Sequence, residues 1–215
     1  MEYKKILLIL PDAIGDFLLV TPFLEQLKKR HPHMVIGVVA SPRNSFLARK
    51  NKHIDIVHQL DVRKRASLMT ALWGVWREQY DLLADLWLRR FSFTLRTFVR
   101  LSGIKHKVAI EKKCRFKAQD YKKFYHQTFP IAKGQVRLSY NNILHYLRAD
   151  GVTENSRLIY HTLAPEVHEK AQKLGSAPRV VLVCEGSRTG NTLPIENCVE
   201  IVEGLLKKFP GLTIF

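Results

Sequence analysis

Apolar residues run without a break from Ile6 to Leu10 and then recur as Phe17, Val20, Leu24 and Leu27. The first pattern predicts a buried parallel strand, and the second predicts a helix over Asp16–Arg30. Pro22 falls inside that helix and demands either a helix start near Thr21 or a kink. The alternation then repeats. Val35–Ala40, Ile54–Leu60, Leu82–Trp87 and Lys107–Ile110 read as further strands. Helical spacing appears over Arg65–Gln79 and Phe91–Leu101, and Ser41-Pro42 reads as the cap of a short helix through Ala48. This order predicts an α/β fold, a Rossmann-like, doubly wound, mostly parallel sheet with helices on both faces.

Beyond Lys112 the pattern weakens, with Tyr121, Phe124, Tyr125 and Phe129 set among lysines. Val136–Leu147 reads as helix, ended by Asp150-Gly151. Leu158–Tyr160 reads as an edge strand and Ala164–Leu174 as another helix. From Arg179–Val183 a new unit begins. Pro194 opens a helix through Lys208, and Leu212–Phe215 is a last strand. The expected division is 1–175 as one domain and 176–215 as the start of a second. Two strands and one helix leave much apolar surface uncovered, so the strands either belong to a larger domain or extend the first sheet.

Composition narrows the class. The 215 residues are 46% hydrophobic and carry a formal charge of +16. That excludes a disordered chain and favours anionic partners: nucleotides, nucleic acid, acidic glycolipid or a membrane face. Arg89 to Lys123 holds twelve Lys or Arg against Glu111 and Asp120. Such a tract suits an acidic glycan or a headgroup layer, and equally a solvated surface. No nucleic-acid recognition motif accompanies it. Cys114, Cys184 and Cys198 are isolated, and no metal-ligand spacing occurs. A reduced cytoplasmic compartment is expected. No stretch reaches transmembrane length, and the N-terminal apolar run meets Pro11 too early for a signal peptide. Trp73, Trp76 and Trp87 sit in apolar contexts and read as core.

Two places carry candidate chemistry. After the first strand, Gly15-Asp16 sets a carboxylate at the start of a helix, on the sheet edge where open α/β folds bind ligands. Glycine there allows a tight turn or a close ligand approach, and helix N–H groups attract an anion. Asp16 reads as a base toward a hydroxyl, as a sugar ligand, or as a plain N-cap. Farther on, Gly186-Ser187-Arg188-Thr189-Gly190 follows a strand and offers N–H groups, hydroxyls and a guanidinium suited to a pyrophosphate. It reads equally as a polar loop. No dinucleotide glycine fingerprint and no Walker lysine motif is present.

The order of these motifs resembles the heptosyltransferase-type glycosyltransferases of lipopolysaccharide core synthesis. LLILPDAIGDFLLVTPFLEQLKKRHP carries the likeness most closely, followed by VIGVVAS, YDLLADLW and VLVCEGSRTGNTLP. The resemblance implies a glycosyltransferase B fold and inverting transfer of heptose from ADP-heptose to an anionic lipid-linked acceptor, without a metal or other cofactor. It implies a cytoplasmic enzyme in peripheral contact with the inner membrane. It also implies Asp16 as the catalytic carboxylate, and Asp12, Ala13, Ile14 and Gly15 on the acceptor side. Gly186, Ser187, Arg188 and Thr189 would lie near the donor phosphates. Two departures stand out. Asn191 and Leu193 replace a lysine and a tryptophan common in the family, and most of a donor-binding domain is expected beyond Phe215. The alternative is a non-enzymatic relative that binds an anionic glycan or lipid surface.

Overall fold

The computed structural model describes residues 3–11, 14–87, 93–111, 123–131, 139–149, 179–180, 195–209 and 213–214. The chain divides into two compact units, Met1–His161 and Thr162–Phe215.

The first unit is built on a six-stranded sheet. Its strands are β1 (Lys5–Leu10), β2 (Val35–Ala40), β3 (Ile56–Gln59), β4 (Leu82–Asp85), β5 (His106–Ile110) and β6 (Gln127–Phe129). They lie in the order β3-β2-β1-β4-β5-β6, and every pairing is parallel. The helices are α1 (Ile14–Arg30), α2 (Ser45–Lys50), α3 (Arg65–Glu78), α4 (Phe93–Leu101) and α5 (Asn141–Tyr146).

Alternation along β1 divides the interior in two. Ile6, Leu8 and Leu10 join a core with Phe17, Phe23, Leu24 and Leu27 of α1, Ala48 of α2 and Ile143 of α5. Leu7 and Ile9 join the opposite core with Leu72 and Val75 of α3 and Leu95 and Phe98 of α4. A strand buried on both faces needs an unbroken apolar run, which is why Ile6–Leu10 lacks polar residues. Each large side chain buried here contributes about 1.5–3 kcal/mol. At the strand starts, Asp81 Oδ2 accepts the N–H groups of Lys4 and Lys5 at 2.8 Å each. That carboxylate sets the register of β1 against β4.

Helix α1 runs unbroken through Pro22, so it does not begin near Thr21. Proline at this position removes the N–H that would reach the Leu18 carbonyl. The Thr21 hydroxyl donates to that same carbonyl at 2.8 Å. The partly buried acceptor is thereby satisfied from one residue earlier.

Several expectations need correction. The residues after Ser41-Pro42 form a turn, and α2 starts at Ser45 with Asn44 at its N-cap. The predicted helix over Val136–Leu147 is met over its described residues, as a short 3₁₀ turn at Ser139 and Tyr140 leading into α-helix over Asn141–Tyr146. The basic, aromatic stretch contains a strand, β6, that its composition conceals. Trp87 is buried, but Trp73 and Trp76 are 64% and 43% exposed. Leu68, Ala71, Leu72 and Val75 supply the inward face of α3 and leave the tryptophans outside.

Helix α5 ends in a Schellman motif. The N–H of Ala149 bonds the Leu144 carbonyl at 2.8 Å, and that of Arg148 bonds His145 at 3.0 Å. The left-handed position, normally glycine, is Arg148 with φ 56°. A side chain there costs about 1–2 kcal/mol.

In the second unit, β7 (Arg179–Val180) and β8 (Thr213–Ile214) pair in parallel as a sheet of their own, and α6 (Ile195–Lys208) lies between them in sequence. That is one β-α-β unit, and these strands do not extend the first sheet. Gly151, the edge strand Leu158–Tyr160, the helix Ala164–Leu174 and the expected domain start at Ser176 lie outside the described residues. No described helix is long and apolar enough to cross a membrane.

Candidate functional site

Strand order reverses between β1 and β4. The chain leaves β1 toward β2 on one side and β4 toward β5 on the other. In open parallel sheets the crevice outside the carboxyl ends of two such strands is where ligands bind. Three segments meet that edge: the end of β1 at Leu10 and Pro11, the first turn of α1, and the end of β4 at Asp85.

Asp16 lies in the first turn of α1 and is half-buried, while Ile14 and Gly15 before it are exposed. The positive end of the helix dipole favours a carboxylate at this place. Gly15 does not adopt a left-handed φ, so the turn does not require it. A Cβ added to Gly15 would meet no atom within 4 Å. Of the two reasons for glycine, close approach is the one this geometry leaves. Asp12, Ala13 and the whole stretch Gly186, Ser187, Arg188 and Thr189 lie outside the described residues, as do Asn191 and Leu193.

The edge holds two polar residues that sequence reasoning missed. Asp85 is fully buried and faces Ile9 and Ala109 in register. Its Oδ2 accepts the Tyr125 hydroxyl and its Oδ1 accepts the Trp87 N–H at 3.0 Å. A carboxylate bound on both oxygens fixes the path of the chain as it leaves β4. Asn44 is also fully buried. Its Nδ2 donates to the Leu10 carbonyl at 2.9 Å, and its Oδ1 accepts from Ser41 Oγ at 3.0 Å. It ties the loop after β2 to the end of β1. The signal for Asp85 was a charge interrupting the apolar run Leu82–Leu86. Its partner Tyr125 lies 40 positions away and carried no local signal.

The basic tract is described only in part. Arg96 and Arg100 are exposed on α4, and Lys107 on β5 is half-buried, with burial lowering its pKa. The His106 ring meets Tyr3 edge-on at 5.9 Å and lies tilted to His126 at 5.7 Å. Among the described residues no three His, Cys, Asp or Glu side chains gather as a metal site.

No protein-family model and no curated protein sequence matches the chain. Solved structures do match. The glycosyl transferase family 9 protein from Veillonella parvula superposes with TM-score 0.72 at 19% identity, over 99% of this chain and 62% of that one. The E. coli heptosyltransferase WaaC with ADP-2-deoxy-2-fluoro heptose gives TM-score 0.70 at 16% identity, over 98% of this chain and 67% of that one. E. coli ADP-heptose LPS heptosyltransferase II gives 0.63 at 15% identity, over 98% and 64%. The fold is that of the heptosyltransferases. The sheet order, the all-parallel pairing and the flanking helices are the N-terminal Rossmann-like domain of a glycosyltransferase B fold. The chain spans 62% of the length of the V. parvula protein. The likeness in fold agrees with the resemblance carried by the sequence motifs. It does not by itself carry an activity, because one fold hosts many chemistries.

Proposed function

We propose that this protein is a glycosyltransferase of the heptosyltransferase type, moving heptose from ADP-heptose to the inner core of lipopolysaccharide with inversion. The observation that carries the reading is the position of Asp16, at the switch-point edge of a heptosyltransferase fold.

In the proposed reaction an acceptor hydroxyl attacks the anomeric carbon on the face opposite the diphosphate. The carbon–oxygen bond to ADP breaks as the new glycosidic bond forms. Asp16 takes the hydroxyl proton, and the electron pair leaves with ADP. Asp12, Ala13, Ile14 and Gly15 shape the acceptor side. Arg188, with Gly186, Ser187 and Thr189, stabilises the charge that grows on the leaving diphosphate. The displacement runs without a metal. In this reading residues 1–175 form the acceptor domain and 176–215 begin the donor domain.

The acceptor is lipid-linked, so the enzyme works against the cytoplasmic face of the inner membrane. One surface suits that contact. Met69, Trp73 and Trp76 stand exposed at i, i+4 and i+7 on α3, beside exposed Phe93 and Leu101 of α4. Arg65, Arg77, Arg96 and Arg100 flank them, and Glu78, the acidic residue of these helices, pairs with Lys5 at 3.0 Å. Aromatic rings among arginines fit an anionic headgroup layer.

Transfer is tested with ADP-heptose and a heptose-free lipopolysaccharide acceptor, using the full natural protein. Asp16→Asn is expected to lower kcat about 10²–10⁴-fold while the fold is retained. Transfer that survives this change undiminished overturns the role of Asp16. Acceptor binding without turnover in the unaltered protein favours the alternative, a non-enzymatic module for anionic glycans.

A further inference from the structure

At the amino-terminal edge of the sheet, far along the strands from Asp16, a cavity of about 430 Å³ opens where the end of α1 meets the end of α5. Its size is that of a small-molecule site. We propose that Arg30 and Arg148, with the hydroxyls of Tyr3 and Tyr146, bind a phosphate group there, carried on a small hydroxylated molecule.

Backbone contacts build the pocket. The Nε of Arg30 donates to the Arg148 carbonyl at 3.1 Å, and His31 Nε2 bonds the Leu147 carbonyl at 2.6 Å. The two carbonyls that would repel an anion are therefore engaged. These bonds clamp residues 147 and 148 onto α1 and put two arginines on the lining of one cavity. Among the described residues neither arginine has a carboxylate partner, and no acidic side chain lines the cavity. Two like charges on one cavity repel, and a phosphate relieves that repulsion.

The hydroxyls supply further donors. Tyr3 and Tyr146 oxygens stand 2.9 Å apart. Two hydroxyl protons share one mutual bond, which leaves one O–H for another acceptor. Burial, and then Tyr146, push the Tyr3 phenol up to about 12, so it stays a donor at neutral pH. Two planar forks and a hydroxyl can meet three oxygens of a phosphate, where a carboxylate offers only two.

Arg148 adds a separate observation. It occupies the left-handed helix-ending position where glycine is the unstrained choice. The fold carries that strain, and its result is an arginine on the lining of the pocket. Strained residues of this kind concentrate at ligand clamps.

The same strain gives a clean test. Arg148→Gly removes the guanidinium and relaxes the backbone, so the variant is expected to melt at or above the temperature of the unaltered protein. Binding of glucose 1-phosphate and of inorganic phosphate is measured by calorimetry, with sodium chloride matched for ionic strength. Arg148→Gly and Arg30→Gln are each expected to weaken glucose 1-phosphate binding at least tenfold, while Asp16→Asn leaves it unchanged. Vesicles containing phosphatidic acid form a second arm. Arg148-dependent competition by vesicles identifies a lipid headgroup as the source of the phosphate, and its absence identifies a soluble one. Binding that Arg148→Gly leaves intact, or equal effects of phosphate and chloride, overturns the proposal. Loss of heptosyl transfer alone bears on Asp16 and not on this pocket.

Discussion

His58 on β3 and Tyr80 ahead of β4 share a buried hydrogen bond of 2.8 Å, and two glycines make room for it. A Cβ on Gly37 would fall 2.0 Å from the Tyr80 oxygen, and one on Gly74 would fall 2.7 Å from His58 Nδ1. Burial lowers the His58 pKa below its ordinary 6.5, against an upward pull from Glu78. Burial also raises the Tyr80 phenol, so the pair stays neutral near pH 7.

That depression has a sign. Above pH 6.5 the imidazole is neutral in both folded and unfolded chains, and its full contribution is present. As pH falls below that value the unfolded chain gains a proton that the folded chain resists. Stability is expected to fall by up to about 1.4 kcal/mol per pH unit until the folded pKa is reached. Urea titrations between pH 7.5 and about pH 5 measure it. In His58→Gln the slope over this window is expected to flatten. An unchanged slope would show that other groups control the acid limb.

Gly37→Ala is expected to destabilise the fold by about 2–4 kcal/mol, through a forced shift of Tyr80 and a broken buried bond. Replacing Tyr80 by alanine first should shrink that cost. Chemical denaturation of the four proteins in the cycle gives the coupling.

Thr21→Val is expected to cost about 1–2 kcal/mol, because the Leu18 carbonyl loses its hydroxyl partner beneath Pro22. In a Pro22→Ala background a main-chain N–H returns to that carbonyl, and the same change should cost less. Equal costs in both backgrounds would refute the compensation.

Gly15→Ala tests close approach at the proposed acceptor site. Helix propensity predicts a gain of up to about 1 kcal/mol, since a Cβ there meets nothing. The acceptor KM is expected to rise several-fold at unchanged donor KM. A variant with normal acceptor kinetics would remove Gly15 from the site.

Trp73→Ser with Phe93→Ser tests the membrane face. Both side chains are exposed, so the melting temperature should move little. Co-sedimentation with anionic vesicles is expected to drop at least fivefold. Sedimentation equal to the unaltered protein would place the contact elsewhere.

Fold and site differed in how far they could be read from the residues. Ile6–Leu10, Val35–Ala40 and Leu82–Ala84 are continuous apolar runs within β1, β2 and β4, and burial on both faces favours that pattern. Gly15-Asp16 was legible because it follows such a run directly. Strand β6 was not, because three residues at a sheet margin make no run. Trp73 and Trp76 misled because α3 carries two apolar stripes, and periodicity alone does not say which one faces inward. Asp85 and Tyr125 are a long-range pair, and nothing in either neighbourhood names the other. A sequence broken by a local rule at the surface, as on α3, points to something outside the chain.

The central place of β1 bears on how the protein is made. Its partner β2 follows after one helix, but its other flank is filled only when Leu82–Asp85 emerges from the ribosome. Until then the apolar run Ile6–Leu10 presents an open margin, the kind of edge that recruits other chains. Synthesis of β4 closes that margin and keeps the first strand from the wrong neighbour.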